Sequence, residues 1–482
     1  MNTRREFLQG AFSATLLGAS GSGLAASAGG ARRLRLGVIS DIHISGGVKD
    51  CTAAALAKAT QTLVQALRWF DRQGVDAVVV PGDLADMGRV EELQAVADAW
   101  KEVFPRNRGA DGRPVEHLLI YGNHESYPSA ARGGRAIWTE GRDKVWQEVF
   151  GEPFADLRVK TVKGYDFLLA SWGWETSKSG GIGRFADLAA SCAAKGRPFF
   201  EVQHAHPKDT CHGPNAWGHD DGRTAAVLAK YPNAVALSGH SHLHLGDERA
   251  VWQKGFTSIG CGSFRYTGQN DEDFAPLGPE NGNMPVRCPA GATIQGEKMM
   301  GYRDALQLFT CHQGLVLDLY DDGLVVRRHE FSTGEDLGAD WEVPLPAKAG
   351  GPFDPAKRPS LFPLCEYAET AELKVGSIEP RKNRFGDRHA VMTLTVPCGR
   401  HTKGAELAAL DVGFVRAKGG FTHLTYVIPS DFNWPKGHKS GRMSVQVLAD
   451  RLPEGASWAV CPMDCFGRVG KPLVAAGSAG GL

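Results

Sequence analysis

The chain carries no excess of charge of either sign: Lys+Arg and Asp+Glu both number 54. Binding to nucleic acid or to an anionic membrane surface draws on a basic surplus, so the composition supports neither partner. The 10 cysteines include no Cys-x-x-Cys pair. That spacing is the mark of a zinc ribbon, and no metal is assigned to sulfur. Long apolar runs are also missing. The nearest approach, residues 11–26, is short and broken by Gly and Ser, a poor membrane-spanning helix. No internal repeat is visible. What is present is the composition of a soluble globular protein, 42% apolar and 22% charged. At 482 residues it has room for two or three domains.

The N-terminus reads as a targeting signal. Thr3-Arg4-Arg5-Glu6-Phe7-Leu8 resembles the twin-arginine export motif, and the 11–26 run and a small-x-small cleavage site, Ala26-Ser27-Ala28, follow in order. Residues 1–28 are therefore set aside as a signal peptide. The resemblance implies that the precursor uses the twin-arginine export machinery, which carries folded proteins, and that the mature protein is periplasmic or secreted. All cysteines lie beyond the signal. Cys461 and Cys465 are close enough to pair across a tight loop, and small buried thiols are the equal alternative.

Past the signal, residues 34–40 form a short apolar run, and 52–72 have the periodicity of an amphipathic helix with Leu56, Leu63, Leu67 and Phe70 near one face. Residues 75–80 are a Val-rich run of the kind buried on both sides. This order predicts a βαβ unit with a right-handed crossover. A helix is expected over 89–104 and a strand over 117–121, with further strands at 165–171, 199–203, 234–238 and 256–259. Residues 314–331 alternate around Asp321-Asp322-Gly323 and predict a hairpin. Residues 262–312 are rich in Gly, Pro and Asn without periodicity, and read as a cover over the site or a separate hairpin. Six prolines within 342–363 predict a linker. Beyond it, 371–375, 390–396, 423–428, 443–447 and 457–460 look like short strands separated by turns. They predict a small all-β sandwich over 364–482, loosely resembling a fibronectin type III or immunoglobulin-like module.

Five segments rich in metal-type ligands begin where strand-like runs stop. They are Asp41-Ile42-His43, Gly82-Asp83-Leu84-Ala85-Asp86, Gly122-Asn123-His124-Glu125, His204-Ala205-His206-Pro207 and Gly239-His240-Ser241-His242. Sites in open α/β sheets form beyond the carboxyl ends of strands. Extended backbone would point residues i and i+2 the same way, offering Asp41 with His43 and His240 with His242 to one cluster.

In this order the five motifs resemble those of the calcineurin-like metallophosphoesterase superfamily, over about residues 34–331. The resemblance implies an α/β catalytic domain, residues 33–335, built as a four-layer α-β-β-α sandwich with a dinuclear metal centre at the strand ends. It implies one metal held by Asp41, His43, Asp83 and His242, and a second by Asp83, Asn123, His204 and His240, with Asp83 bridging. Imidazole and carboxylate ligands suit divalent or trivalent Mn, Fe or Zn. Two such ions about 3.5–4 Å apart clamp a phosphoryl group and turn a bridging water into a hydroxide nucleophile. His124 is implied as general acid towards the leaving oxygen, with Asp86 orienting it. The family usually has His-x-Pro at the fourth motif. Here His204, directly after the strand ending at Gln203, is preferred as ligand, with His206 the alternative. Some protein phosphatases of the superfamily have Arg right after the second Asp; Met87 stands there instead, which weakens a Ser/Thr-phosphatase reading.

Further residues stay open. His212, Trp217, His219, Asp220 and Asp221 form a polar loop after the fourth motif. It either selects substrate, or its aromatic is a packing anchor and its Asp pair a turn or helix cap. His244 reads as a residue behind the ligands or an exposed one. Arg265 and Tyr266 are candidates for a phosphate contact. The expected function is an exported metal-dependent phosphoesterase acting on small phosphomono- or phosphodiesters. The alternative is a cell-envelope binding protein with a vestigial phosphoesterase domain, whose C-terminal β domain docks a glycan or protein.

Overall fold

The computed structural model describes residues 30–47, 51–127, 134–178, 180–214, 216–267, 293–294, 297–298, 312–382, 388–397, 402–403, 407–427 and 442–476. The expected signal, residues 1–28, and most of the 262–312 stretch lie outside the described residues. In chain order, the first elements are β1 (Leu34–Val38), α1 (Ala53–Gln73), β2 (Ala77–Val80), α2 (Val90–Val103) and β3 (Glu116–Leu119). The short helices α3 (Ile137–Glu140) and α4 (Arg142–Phe150) lead to β4 (Leu157–Val162), β5 (Tyr165–Ala170), α5 (Ile182–Ala193), β6 (Phe199–Gln203), α6 (Arg223–Leu228), β7 (Ala234–Ser238), β8 (Val251–Gln253) and β9 (Thr257–Gly260). After the two-residue strands β10 (Thr293–Ile294) and β11 (Glu297–Lys298) come β12 (Gln313–Leu319), β13 (Gly323–Glu330), β14 (Glu335–Asp336) and β15 (Trp341–Pro344).

One seven-stranded sheet runs β14-β13-β12-β1-β2-β3, with β15 also on β13; a six-stranded sheet runs β4-β5-β6-β7-β9-β8. Strands β1, β2 and β3 are parallel, as are β5, β6, β7 and β9. Helix α1 starts where the Thr52 hydroxyl accepts from the Ala55 amide at 3.2 Å. Its Leu63, Leu67 and Phe70 bury against the first sheet with residues of α2 and α4. A second core lies between the two sheets, joining Leu36, Val79 and Leu118 to Phe167, Val202 and Leu237. A third packs α5 and α6 onto the second sheet. The layers are helices, sheet, sheet, helices, and the central strands of both sheets are buried on both faces. That explains why strands such as Ala77–Val80 are apolar throughout.

The proline-rich stretch is not the free linker that its composition suggests. Trp341–Pro344 pairs with β13, and Leu345 and Phe353 are buried in the core between the sheets. Proline is tolerated here because β15 pairs on one side only, and apolar burial overrides the composition. The edge strand β4 is buried only at its ends, Leu157 and Val162, with half-buried and exposed residues between them, so no apolar run marks it in the sequence.

Beyond it lie β16 (Glu366–Tyr367), β17 (Lys374–Lys382), β18 (Arg388–Pro397), β19 (Thr402–Lys403), β20 (Leu407–Arg416), β21 (Phe421–Val427), β22 (Arg442–Leu448), β23 (Ala456–Asp464) and β24 (Leu473–Val474). The antiparallel sheets β17-β18-β22 and β21-β20-β23-β24 share one core, in which Leu394 and Val396 meet Leu410, Val412, Trp458 and Val460. Strand β20, at the heart of this region, had no counterpart in the sequence reading. Cys461 and Cys465 are free, buried thiols rather than a disulfide.

Candidate metal centre

The ligand segments converge because their loops are hydrogen-bonded to each other past the strand ends. Asp41 N–H donates to Gly82 O at 3.3 Å and His43 N–H to Asp83 O at 2.9 Å. Gly239 N–H donates to His204 O at 2.9 Å, and Phe264 N–H to Ser40 O at 2.8 Å. The backbone at the ligands is not extended, as the i, i+2 argument supposed. Asp41, His43, Asp83, His240 and His242 all have φ between 44° and 67°. Non-glycine residues rarely adopt this left-handed region, and such strain persists where the surroundings over-determine it. It turns successive side chains inward from a loop rather than along a strand. Two glycines make room. A Cβ on Gly122 would stand 2.1 Å from an Asp83 oxygen, and one on Gly239 would stand 2.3 Å from an Asp41 oxygen.

Three donor sets result, and Asp83 belongs to two of them: Asp41, His43, Asp83 and His242, and Asp83, His204 and His240; the third is His43, Asp86 and His124. In the first, His242 Nε2 lies 3.0 Å from Asp41 Oδ1 and 3.2 Å from His43 Nε2, which is 3.5 Å from Asp83 Oδ2. In the second, His204 Nε2 lies 3.1 Å from Asp83 Oδ2, 3.1 Å from His240 Nδ1 and 3.0 Å from Asn123 Oδ1. The donors fit metal ions by their chemistry. Aromatic nitrogens and carboxylate oxygens crowd together with their lone pairs inward, buried except for the half-buried Asn123 and His240. The outer ring atoms are held: His204 Nδ1 donates to Pro81 O at 2.6 Å, and His242 Nδ1 to Tyr266 O at 3.2 Å, each presenting Nε2 to the cluster.

Electrostatics follow from this crowding. Burial opposes charge on Asp41, but the His242 and His204 imidazoles hold it down to about 2. Burial opposes it on Asp83 too, and His204 and His43 keep that carboxyl well below its ordinary range. Burial depresses His43 and His240 to about 3. Burial also works against His204, yet Asp83 and Asp41 outweigh it and lift it to about 9.

His124 borders the cluster, with Nε2 3.8 Å from Asp83 Oδ2 and its own amide donating to Asp83 Oδ1 at 3.0 Å. Its Nδ1 donates to the main-chain oxygen of Asp86 at 2.6 Å, while the Asp86 carboxylate stands 3.9 Å away and is closer to His43 Nδ1, at 3.6 Å. His206 is in none of these sets. Its ring is tied to the Ser238 hydroxyl at 2.6 Å and the Ser241 hydroxyl at 2.7 Å, behind the fifth motif. Asp220 accepts from the Lys208 and Gly222 amides and Asp221 from the Arg223 amide, so this pair serves turn geometry. His244 is buried behind the ligands. The ring of Tyr266 packs 4.1 Å from that of His242, and Arg265 is anchored by its amide to Asp41 O at 3.0 Å.

One residue of the third motif supports the others. Glu125 is fully buried and accepts from Ala85 N–H and Gly122 N–H, each at 2.6 Å, tying the second motif to the third. Burial and the charge on Asp83 push its pKa up to about 8, against the pull of these amides. Its signal in the sequence is a carboxylate two residues after a metal-type ligand in a glycine-led turn.

Residues 34–244 match the family model for calcineurin-like phosphoesterase. The chain carries a domain of this class, a metallophosphoesterase domain, and is a hydrolase acting on phosphoester bonds. Among solved structures it is similar to a dimetal phosphatase from Danio rerio, at 13% identity over 65% of this chain and 99% of that one, with a TM-score of 0.39. It is also similar to a purple acid phosphatase from yellow lupin seeds, at 12% identity over 64% of this chain and 53% of that one, TM-score 0.39. A third is Vacuolar Protein Sorting 29 from Cryptosporidium parvum, at 12% identity over 65% and 100%, TM-score 0.26. Likenesses this distant carry no argument about the reaction. No curated protein matches the chain.

Proposed function

We propose that the protein is an exported, two-metal phosphoesterase that hydrolyses small phosphomono- or phosphodiesters. The observation that carries this reading is the pair of donor sets sharing Asp83. Asp41, His43, Asp83 and His242 would hold one ion, and Asp83, Asn123, His204 and His240 the other, drawn from Mn, Fe or Zn. Bound ions neutralise charge on the phosphoryl oxygens and acidify the attacking water. His124 acts as general acid: with Nδ1 donating to Asp86 O, its Nε2 is left to give a proton to the departing oxygen. Asp86 positions that ring through its main chain and sets its carboxylate beside His43. The N-terminal motif supports export by the twin-arginine route to the periplasm or beyond, with residues 33–335 as catalytic domain. The two facing sheets after residue 364 support a sandwich of the fibronectin III or immunoglobulin kind.

Hydrolysis of 4-nitrophenyl esters by manganese-loaded protein tests the proposal. Asp83→Asn should lose bound metal and at least about a hundredfold in kcat, the scale of losing a charge-stabilising group. His124→Ala should cost about 10²–10⁴-fold with an alkoxide leaving group and much less with 4-nitrophenolate, which needs no proton. Equal losses on both esters would remove His124 from the acid role. Full activity of Asp83→Asn would sink the metal mechanism.

A further inference from the structure

Trp217 stands out among the aromatic residues around the metal centre. Its indole lies 4.4 Å from the ring of His240, tilted by 30°, yet it is 51% exposed. A packing anchor would bury its ring, since exposed apolar surface costs about 25 cal/mol per Å². Nor does His240 need it as a cover, because Trp172 already packs 5.3 Å from the same imidazole. The exposure is not that of a loose loop. His206 N–H donates to Gly218 O and Asp220 N–H to His206 O, both at 2.8 Å, which bolts this segment to the fourth motif. A Cβ on Gly218 would meet Ser241 at 3.1 Å, so the segment also lies flush against the fifth motif. A rigid, half-exposed indole beside a metal ligand is a stacking platform.

Its position says which part of a substrate it serves. His124 marks the leaving-group side, and Tyr127 is the aromatic on that side, its ring 4.6 Å from that of His124. Trp217 leans instead on His240 in the second donor set. We infer that Trp217 stacks against the organic group that stays on phosphorus, and that the substrates are phosphodiesters whose retained ester group is planar or apolar. This rests on the phosphoesterase reading above and narrows it: a monoester has no retained group to fill the platform.

The test compares two diesters with one leaving group, phenyl 4-nitrophenyl phosphate and methyl 4-nitrophenyl phosphate, on the metal-loaded full chain. The native protein should favour the phenyl ester in kcat/KM by about tenfold, the scale of one stacked ring. In Trp217→Ala that ratio should collapse towards one, with KM for the phenyl ester carrying the change, and Trp217→Phe should restore most of it. A native ratio near one overturns the inference. So does an equal loss on both esters in Trp217→Ala, which would make the indole a support for His240. Absence of turnover of either diester by the native protein overturns the inference while 4-nitrophenyl phosphate is still hydrolysed, and overturns the phosphoesterase reading with it when that monoester fails as well.

Discussion

Glu125 illustrates how much of the cluster depends on residues outside the donor sets. Its two oxygens each take one buried amide, from Ala85 and Gly122, in loops that carry Asp83 and Asn123. Glu125→Gln keeps the shape but replaces one acceptor with a donor, so one buried N–H faces another. The expected cost is about 1–3 kcal/mol of stability, read from urea unfolding. Metal affinity should weaken by about 10–100-fold, as for other groups that orient ligands, read by titration with manganese. Native-like affinity in a destabilised variant would confine Glu125 to a packing role. The left-handed backbone at Asp41, His43, Asp83, His240 and His242 makes the same point: non-glycine residues seldom adopt it, and here the surrounding loops hold it in place.

Strand β6 carries a different tension. Glu201 is fully buried between Leu168 and Ala236 of the adjacent strands, and neither carboxyl oxygen has a hydrogen-bond partner among the described residues. Burial, assisted by the charge of Asp220, holds its pKa well above the ordinary value of 4.5. The unfolded chain releases this proton as pH rises past that value while the folded chain keeps it. Stability is therefore lost with rising pH, at about 1.4 kcal/mol per unit until the folded pKa is reached. Glu201→Gln removes the titration. Its melting temperature relative to the native protein should rise between pH 4.5 and pH 8; a difference constant across that range would refute the account.

The two halves of the molecule are joined by charge as well as by apolar contact. Glu248, in the loop after the fifth motif, accepts from Trp341 Nε1 at 2.9 Å and pairs with Arg328 at 3.2 Å and with Arg358. Arg468 of the C-terminal region donates to Pro359 O at 2.8 Å and Phe362 O at 3.1 Å. Glu248→Ala would leave two largely buried guanidiniums without their carboxylate, at a cost of about 3–5 kcal/mol. We expect a lowered urea midpoint and faster proteolysis within 355–365, with an unchanged midpoint as the result that would discount this network.

The βαβ start, the hairpin at 323 and the donor-type side chains that gather past the strand ends were legible in the chain because they rest on local rules of apolar periodicity, turn residues and residue type. His204 is preferred over His206 on its place directly after Gln203, but what holds the second ring away, the Ser238 and Ser241 hydroxyls, comes from a distant segment. Packing also drew the proline-rich stretch into the first sheet, where burial of Leu345 and Phe353 outweighs composition. Strand β20 is decided by its pairing with β21 and β23, made between segments whose local patterns say nothing of each other. Residue type and local order are properties of the chain; which side chains share a lone-pair cluster, which carboxyl is stranded and which indole faces solvent follow from contacts between distant segments.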